Sequence, residues 1–359
     1  MDWQPRVSLH EGPGRANVWF NRYTPGAPDM SAVIVTGGAG YVGSHACKAL
    51  AAAGYLPVVY DNLSTGNRWA ARYGPLETGD ILDPARLHQV FREYRAAAVM
   101  HFAASTLVGE SILDPARYYR TNVVGTLNLL DTARAHDIGA IVFSSSCATY
   151  GTPDRVPISE DAPQRPVSPY GASKLMVERA LADYEMSYGL RYACLRYFNA
   201  AGADPAGEIG EHRAVETHLL PLLLDAVLGI RPSLTVFGTD YPTPDGTAIR
   251  DYIHVSDLAA DHVAALNHLL GGGHSICLNL GTGQGHSVRE VMRCAERITG
   301  RPVPHRLAPR REGDPPELVA DARRSIALLR LELRQSRTLE EIVASAWEWH
   351  RRKPRTVAA

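Results

Sequence analysis

The sequence lacks several features that would direct it to particular classes of protein. Its 359 residues contain no run of about 18 or more apolar residues, so it predicts no membrane-spanning helix. Residues 1–30 lack the apolar core of a secretory signal, which makes the cytoplasm the expected location. The formal net charge is only −1, so there is no overall positive field for nucleic acid or an anionic membrane. We therefore expect neither a nucleic-acid nor a membrane partner.

Cysteine and lysine are also scarce. The five cysteines are odd in number and form no CxxC motif, so we expect reduced thiols and no disulfide framework or metal site. Only three of the 37 basic residues are lysines, namely Lys48, Lys174 and Lys353. Because arginine is the usual cation of this chain, each lysine indicates a position where arginine would not serve equally well.

The chain divides into three predicted parts. Residues 1–29 are rich in proline and glycine without periodicity, which predicts a disordered tail or a translation start at Met30. Residues 30–200 alternate short apolar strands with helices, the pattern of a parallel sheet covered on both faces. Residues 201–359 are richer in loops and predict a smaller lobe that mainly binds substrate. The predicted fold class is α/β, a doubly wound Rossmann-type parallel sheet with a smaller, loop-rich C-terminal substrate lobe.

The individual elements follow from hydrophobic runs and capping signals. Ser287 and Thr338 each stand three residues before a glutamate, which predicts capping boxes that open two helices. The predicted strands are 32–36, 56–60, 97–102, 140–143, 191–197, 234–237 and 276–280. The predicted helices of the larger part are 42–53, 84–94, 118–136 and 173–188.

A glycine-rich turn follows the first predicted strand and opens a helix. Gly37, Gly40 and Gly43 have the spacing of dinucleotide-binding turns, in which missing Cβ atoms let the backbone approach a pyrophosphate. Asp61 ends the second strand about 20 residues later, where a carboxylate binds ribose hydroxyls and repels the 2′-phosphate of NADP. The combination predicts bound NAD. The alternative is a glycine turn with an incidental aspartate.

A candidate catalytic group lies further along the chain. Tyr170 and Lys174 are four residues apart at a helix start, and therefore on one face. A free tyrosine has a pKa near 10, so acting as a base near pH 7 requires the phenolate to be stabilised by roughly 4 kcal/mol. A nearby ammonium and a positive nicotinamide ring supply such stabilisation. Ser146 follows a predicted strand, where it would hydrogen-bond a sugar hydroxyl and Tyr170. As alternatives, Tyr170 and Lys174 are an ordinary pair on a helix surface, and the serine only caps the next turn.

These motifs resemble those of the extended short-chain dehydrogenase/reductase family, and within it the UDP-glucose 4-epimerases (UDP-galactose 4-epimerases). The resemblance runs from Met30 to about Asp321. One specific stretch reads Ser168-Pro-Tyr-Gly-Ala-Ser-Lys-Leu-Met-Val-Glu178. Another ends in Arg250-Asp-Tyr-Ile-His-Val255 and lies outside the generic dinucleotide fold.

The resemblance implies reversible epimerisation at C4 of a UDP-hexose, UDP-galactose to UDP-glucose, in galactose metabolism or polysaccharide precursor supply. Tyr170 would take the proton of the 4-hydroxyl, and a tightly held NAD would pass through transient NADH while a 4-keto sugar forms and turns. Most binding energy must then come from the UDP, which stays fixed. The resemblance also implies a homodimer that packs two long helices per subunit.

The motifs and the resemblance together assign site residues. The catalytic residues are Tyr170, Lys174 and Ser146. The cofactor-binding residues are Gly37, Gly40, Tyr41, Val42, Gly43, Asp61, Asn62, Leu63, Ser64, Thr65, Gly66, Asp80, Ile81, Phe102, Ala103, Ala104, Ser105, Thr106, Asn122, Ser146, Tyr170, Lys174 and Phe198. The substrate-binding residues are Ser146, Tyr170, Tyr197, Asn199, His218, Leu219, Phe237, Arg250, Tyr252, Arg311 and Asp314.

The physiological sugar stays open between a UDP-hexose, a UDP-pentose and a UDP-N-acetylhexosamine. Leu318 falls where family members control room for a 2-acetamido group, and leucine is neither the bulky tyrosine nor the small cysteine or serine of clear-cut cases. Thr106 and His218 stand where some epimerases carry lysine and asparagine.

Two other readings compete with epimerisation. A sugar-nucleotide 4,6-dehydratase needs an acidic pair after the serine strand, and Cys147 and Ala148 cannot do that acid–base work. A non-catalytic NAD-binding scaffold belongs to a different class. It would be expected to lack Tyr170 or Lys174, and both are present.

Overall fold

The computed structural model describes residues 30–311, 313–331 and 337–352, so the predictions made for residues 1–29 and for Lys353 lie outside the described part. The strands, in chain order, are β1 (Ala32–Thr36), β2 (Leu56–Asp61), β3 (Leu76–Thr78), β4 (Ala98–His101), β5 (Ala140–Ser146), β6 (Arg191–Tyr197), β7 (Asn199–Ala201), β8 (Leu234–Phe237), β9 (Ile249–His254), β10 (Ile276–Leu280), β11 (Gly285–Ser287), β12 (His305–Ala308) and β13 (Glu317–Leu318).

The helices follow the same chain order. They are α1 (Tyr41–Ala52), α2 (Pro84–Tyr94), α3 (Val108–Leu113), α4 (Pro115–Tyr118), α5 (Gly125–Ala135), α6 (Pro169–Tyr188), α7 (Leu219–Val227), α8 (Val255–Leu270), α9 (Val288–Thr299), α10 (Arg323–Leu329) and α11 (Leu339–His350). A π-helical turn, Tyr119–Val124, joins α4 to α5. None of the helices among the described residues has the length and apolar character needed to cross a membrane.

The larger lobe is built on a seven-stranded parallel sheet, as predicted. Its strand order is β10-β6-β5-β4-β1-β2-β3. Every residue of β1, β2, β4 and β5 is buried, because apolar side chains on both faces are covered by helices. Val33 and Val35 pack toward α1 and α8, whereas Ile34 packs toward α2, α5 and α6. The doubly wound α/β fold is therefore confirmed.

The order of the strands places a ligand crevice between β1 and β4. The chain proceeds outward from β1 to β2 and β3, then returns to the other side of β1 at β4. At such a switch point the loops at the carboxyl ends of the two strands diverge and leave room for a nucleotide.

The smaller lobe is assembled from short strands and three helices. Strand β9 pairs with β7, β11 and β13, and β8 pairs with β12. Helices α7, α9 and α11 form its apolar core, with Leu223, Val291 and Val343 fully or almost fully buried. Both predicted capping boxes are present, at Ser287 and Thr338. Strand β10 and helix α8 lie after residue 200 but belong to the large sheet and its cover.

Candidate active site

The predicted cofactor and catalytic residues line one edge of the large sheet. The glycine turn follows β1, residues 61–66 follow β2, and Asp80 follows β3. Residues 102–106 follow β4, and Ser146 is the last residue of β5. Because the carboxyl ends of parallel strands meet at one edge, segments that are far apart in sequence come together there, where the fold predicts a ligand crevice.

The glycine turn is too tight for other residues at two positions. Gly37 has a φ of 72°, and a Cβ on it would lie 2.6 Å from the backbone nitrogen of Ala103. A Cβ on Gly43 would lie 2.2 Å from the carbonyl oxygen of Gly37. Gly40 is the N-cap of α1 and makes no side-chain capping bond, so no side chain stands between the first amides of α1 and a ligand. A turn of this shape leaves room for the close approach of a pyrophosphate to the backbone.

Asp61 connects the glycine turn to the next loop. Its carboxylate accepts hydrogen bonds from the backbone N–H groups of Ala39, at 3.0 Å, and Leu63, at 2.8 Å. Burial raises the pKa of Asp61, and the two amide bonds act in the opposite direction. The side chain of Asn62 continues the chain of contacts by donating to the carboxylate of Asp80 at 2.8 Å.

Some predicted cofactor residues use their side chains to hold protein segments. Asn122 accepts from the N–H of Ser105 at 2.8 Å and donates to the hydroxyl of Ser173 at 2.9 Å. Phe102 packs against His262, with ring centroids 4.9 Å apart. Ile81 and Phe198 are buried, and Thr106 is exposed.

The predicted catalytic residues come together at the edge of the crevice. Lys174 is almost fully buried, and its Nζ donates to the carbonyl oxygen of Ser144 at 2.8 Å. The same Nζ lies 5.9 Å from the ring centroid of Tyr170 and 4.8 Å from that of Phe143. Ser168 caps α6 by accepting from the N–H of Gly171 at 3.2 Å. Tyr170 and Lys174 thus stand on one face of α6, over the end of β5.

Burial disfavours the charged form of both catalytic side chains. It raises the pKa of the Tyr170 hydroxyl, Tyr197 acts in the same direction, and a hydrogen bond with Ser146 opposes them. Burial also lowers the pKa of Lys174 to about 7, while Glu178 and Cys194 act in the opposite direction. A phenolate at Tyr170 therefore requires additional positive charge in the crevice.

The three consecutive serines that end β5 each have a different partner. The Ser144 hydroxyl is 2.7 Å from the Tyr197 hydroxyl. Ser145 donates to Glu178 at 2.5 Å, and Ser146 accepts from the N–H of Ala148 at 3.1 Å. Ser146 therefore caps the turn after β5 as well as facing Tyr170.

Several of the predicted substrate residues belong to the smaller lobe. Arg250 on β9 donates to the carbonyl oxygens of Ile249, at 2.7 Å, and Pro315, at 2.9 Å, and pairs with the carboxylate of Asp314. The guanidinium of Arg311 stacks 4.2 Å from the ring centroid of Phe237, at the end of β8.

The other predicted substrate residues flank this group in different ways. Asn199 on β7 stands in register with Tyr252, which is buried with the core of the smaller lobe. Leu219 is the first residue of α7, and His218 is its N-cap.

Sequence reasoning missed three charged residues beside His218. The Nδ1 of His218 is 2.7 Å from a carboxylate oxygen of Glu211, and the Nε of Arg213 is 3.2 Å from the same oxygen. Glu216 accepts from the backbone N–H of His218 at 3.0 Å. Burial opposes ionisation of Glu211, yet His218 and Arg213 hold its pKa below the ordinary value. Ligand atoms of Glu211, Glu216 and His218 lie within 4.8 Å of one another, but Arg213 and backbone amides already occupy this ion-pair network.

Residues 202–218, which we call the wall segment, contact helix α1 and the loop after β2. The hydroxyl of Tyr41 donates to the carbonyl oxygen of Gly202 at 2.6 Å. Lys48 on α1 pairs with Asp204 at 2.7 Å and with Glu208 at 3.0 Å. The side chain of Asn67 donates to the carbonyl oxygen of His212 at 3.1 Å. The scarce lysine at 48 thus links the glycine-turn helix to the smaller lobe.

Comparison with known proteins assigns the chain to a family. Residues 33–281 match the model of the NAD dependent epimerase/dehydratase family. The chain is 52% identical over 318 residues to the UDP-glucose 4-epimerase of Rhizobium leguminosarum bv. trifolii, covering 89% of this chain and 97% of that relative.

Two crystal structures are similar over nearly their whole length. The UDP-glucose 4-epimerase of Brucella ovis in complex with NAD is 52% identical, with a TM-score of 0.86 over 89% of this chain and 98% of that one. The UDP-glucose-4-epimerase of Stenotrophomonas maltophila with bound NAD and formylated UDP-arabinopyranose is 40% identical, with a TM-score of 0.85 over 90% and 98% of the two chains.

Proposed function

Because this chain belongs to the NAD dependent epimerase/dehydratase family, we infer that it inverts C4 of a UDP-hexose and interconverts UDP-galactose and UDP-glucose. The observation that carries the inference is the position of Tyr170 and Lys174 beside a nucleotide crevice in a chain 52% identical to a UDP-glucose 4-epimerase. A non-catalytic scaffold would have no use for this buried pair.

The cofactor is NAD, as the family and the NAD complexes of its structural neighbours indicate. The residues of the crevice fit it. The turn at Gly37 and Gly43 has no room for a Cβ, which suits a backbone that approaches a pyrophosphate. Asp61, at the end of β2, would bind the ribose hydroxyls and repel a 2′-phosphate. When bound, NAD accepts a hydride from C4 of the sugar and later returns it.

Tyr170 acts as the base for the 4-hydroxyl in this proposal. Its burial opposes phenolate formation, so the ammonium of Lys174 stabilises the negative charge from 5.9 Å above the ring. The carbonyl oxygen of Ser144 holds that ammonium in place at 2.8 Å. Ser146 hydrogen-bonds Tyr170 and orients the hydroxyl that exchanges the proton.

Arg250, Arg311 and Asn199 hold the diphosphate, and Leu219 and Phe237 flank the uracil. In the structure, Asp314 and two carbonyl oxygens already accept hydrogen bonds from Arg250. A diphosphate would therefore compete with Asp314 for a guanidinium whose fork matches either anion. Fixing the UDP in this way leaves the sugar free to turn.

We also propose a homodimer located in the cytoplasm. Helix α3, the π-helical turn and helix α6 pack side by side and leave apolar side chains in solvent, including Ile112, Leu113, Val124 and Met176. Exposed apolar side chains on elements that pack together are consistent with a subunit interface. The five cysteine thiols are free, as expected for a reducing compartment.

The identity of the sugar has two alternatives to a hexose. Leu318 on β13 stands in register with Arg250, which places it beside the proposed diphosphate site. The structural neighbour with formylated UDP-arabinopyranose makes a UDP-pentose the second candidate, and a UDP-N-acetylhexosamine is the third.

The decisive experiment uses purified protein without added NAD. We expect it to convert UDP-galactose to UDP-glucose. The conversion is measured by chromatography of the nucleotide sugars. UDP-arabinose and UDP-N-acetylgalactosamine are measured in parallel. Faster turnover of either one would change the assigned substrate, and no turnover of any of the three would refute the proposed function.

A further inference from the structure

A buried ion pair lies directly behind the proposed catalytic pair. Glu178 follows Lys174 by one turn of α6, and only 5% of its side chain is exposed; Arg196 on β6 is 6% exposed. Arg196 binds both carboxylate oxygens of Glu178, at 2.9 and 2.7 Å. A buried ion pair loses much solvation energy and contributes little net stability, so its presence calls for another role.

The carboxylate of Glu178 is tied to the strand segment that carries the catalytic contacts. It accepts from the hydroxyl of Ser145 at 2.5 Å and from the side chain of Gln164 at 2.9 Å. Ser145 stands between Ser144, whose carbonyl oxygen holds Lys174, and Ser146, whose hydroxyl acts to lower the pKa of Tyr170. A shift of Glu178 would therefore move the strand residues that position both catalytic groups.

The network continues from Arg196 into a third strand. Arg196 donates to the hydroxyl of Tyr150 at 2.9 Å, and that hydroxyl donates to the side chain of Asn279 on β10 at 2.7 Å. Helix α6 is thus fixed against β5, β6 and β10 by polar contacts in the protein interior. Such fully bonded networks rigidify the groups that they connect.

Glu178 is also the anion nearest to Lys174 in sequence, on the same face of α6. Four titratable groups influence or face Lys174: Glu178 and Tyr170 on its own helix, Cys194 on β6 and His101 on β4. Burial raises the pKa of the Cys194 thiol and lowers the pKa of His101 to about 3, so both are neutral near pH 7. Of these four groups, Glu178 is the one that supplies a negative charge.

We propose that Glu178 is a positioning residue for the C4 chemistry, which locks α6 against the serine strand and keeps Lys174 protonated while Tyr170 exchanges a proton with the sugar. The proposal rests on the proposed function, because Glu178 acts through Tyr170 and Lys174. Its carboxylate oxygens are bonded to Ser145, Gln164 and Arg196.

The test is the Glu178→Gln variant, in which a neutral side chain of the same shape replaces the carboxylate. We expect kcat for UDP-galactose to fall about ten-fold or more while KM stays within about two-fold. Removing the negative charge lowers the pKa of Lys174, so the ammonium loses its proton at a lower pH. The alkaline limb of kcat should therefore move to lower pH by about one unit.

Gln164→Ala is the matched control, because it removes a neutral partner of the same carboxylate and should leave the alkaline limb in place. The double variant Glu178→Gln, Arg196→Gln avoids an unpaired buried arginine and should show the same displaced limb. A folded single or double variant with the wild-type pH profile would overturn the proposal. The proposal would also be overturned if the single and double Glu178 variants both failed to fold while Gln164→Ala folded normally. The network would then be needed for stability alone. The wild type is assayed first, and its failure to convert UDP-galactose would count against the proposed function instead.

Discussion

At the scale of single residues, Tyr170 carries the chemistry in a setting that disfavours its charged form. Burial raises the pKa of its hydroxyl, and the Nζ of Lys174 lies 5.9 Å from the centroid of its ring. We expect this hydroxyl to be neutral in the ligand-free protein and to act as a base only when cofactor and substrate are bound.

Replacing Tyr170 by phenylalanine should therefore separate catalysis from binding. The ring keeps its packing, but no atom remains to exchange a proton with the sugar. We expect kcat to fall by about 10²- to 10⁴-fold, with unchanged NAD content in the purified protein. Steady-state kinetics and extraction of the nucleotide give both quantities. A variant with normal turnover would mean that another group is the base.

Spacing alone could indicate Tyr170 and Lys174, because residues four apart share a helix face whatever the rest of the fold does. The partners of Glu178 and Arg250 could not be found in that way. Arg196 is 18 residues from Glu178, and Asp314 is 64 residues from Arg250. Such pairs depend on how β6 and the segment before β13 are placed in three dimensions.

At the scale of elements, the turn between β1 and α1 is limited by backbone contacts. The Cβ of an alanine at position 43 would lie 2.2 Å from the carbonyl oxygen of Gly37, far inside van der Waals contact. The Cβ is fixed to the backbone and the atoms that it meets are also backbone atoms, so no side-chain movement can relieve the clash.

Gly43→Ala should consequently lose its nucleotide. We expect protein purified without NAD, or markedly less stable protein, measured by nucleotide extraction and thermal unfolding. Gly139→Ala is the control, since a Cβ there meets nothing within 4 Å. NAD content equal to the wild type in Gly43→Ala would show that this turn does not hold the pyrophosphate.

Element boundaries were predictable where side-chain burial is regular. The strand 32–36 and the helix 84–94 match the structure at both ends. Strand β5 was predicted to end at Phe143 but continues to Ser146, because Tyr197, Glu178 and Ala148 satisfy the three serine side chains. The predicted helix 118–136 is interrupted by the π-helical turn, which no hydrophobic period reveals. Strands β7, β11 and β13 are too short for any pattern to form.

At the scale of the whole molecule, three buried histidines link stability to pH. Burial lowers the pKa of His45 and of His262 to about 4 and that of His101 to about 3. The unfolded chain protonates these rings below about pH 6.5, whereas the folded protein keeps them neutral until pH 3–4. Their contribution to the free energy of unfolding is complete above pH 6.5 and is lost progressively as the pH falls.

We therefore expect the urea midpoint to fall between pH 6.5 and pH 5, a window above most carboxylate titration. Each ring contributes at most about 1.4 kcal/mol per pH unit there. His262→Gln, which keeps an amide donor for the carbonyl oxygen of Leu258, should flatten the dependence. An unchanged slope in this variant would contradict the assignment.

The proposed dimer is also a property of the whole molecule. Leu113 is 87% exposed and Ile112 is 61% exposed. We expect light scattering of the wild type to give twice the 39.1 kDa chain mass, and Leu113→Asp to shift it toward a single chain. Leu307→Asp changes an exposed leucine on β12 of the smaller lobe and should not affect the mass. A wild type at the mass of one chain would contradict the dimer.

The sequence predicts two lobes divided near residue 200, but it does not indicate that a later strand joins the large sheet. Strand β10 returns from the later half of the chain to complete the large sheet next to β6. A short apolar run looks the same in either lobe, and only pairing with β6 decides where it belongs.

The wall segment has a consequence for how the protein depends on its surroundings. Tyr41, Lys48 and Asn67 tie the helix and loops beside the glycine turn to residues 202–212 by hydrogen bonds and ion pairs. If the cofactor binds beside the glycine turn, as we propose, these contacts would have to break before it could exchange with the medium. We therefore expect the rate of UDP-galactose turnover by the purified protein to be unchanged when free NADH or NAD⁺ is added to the assay.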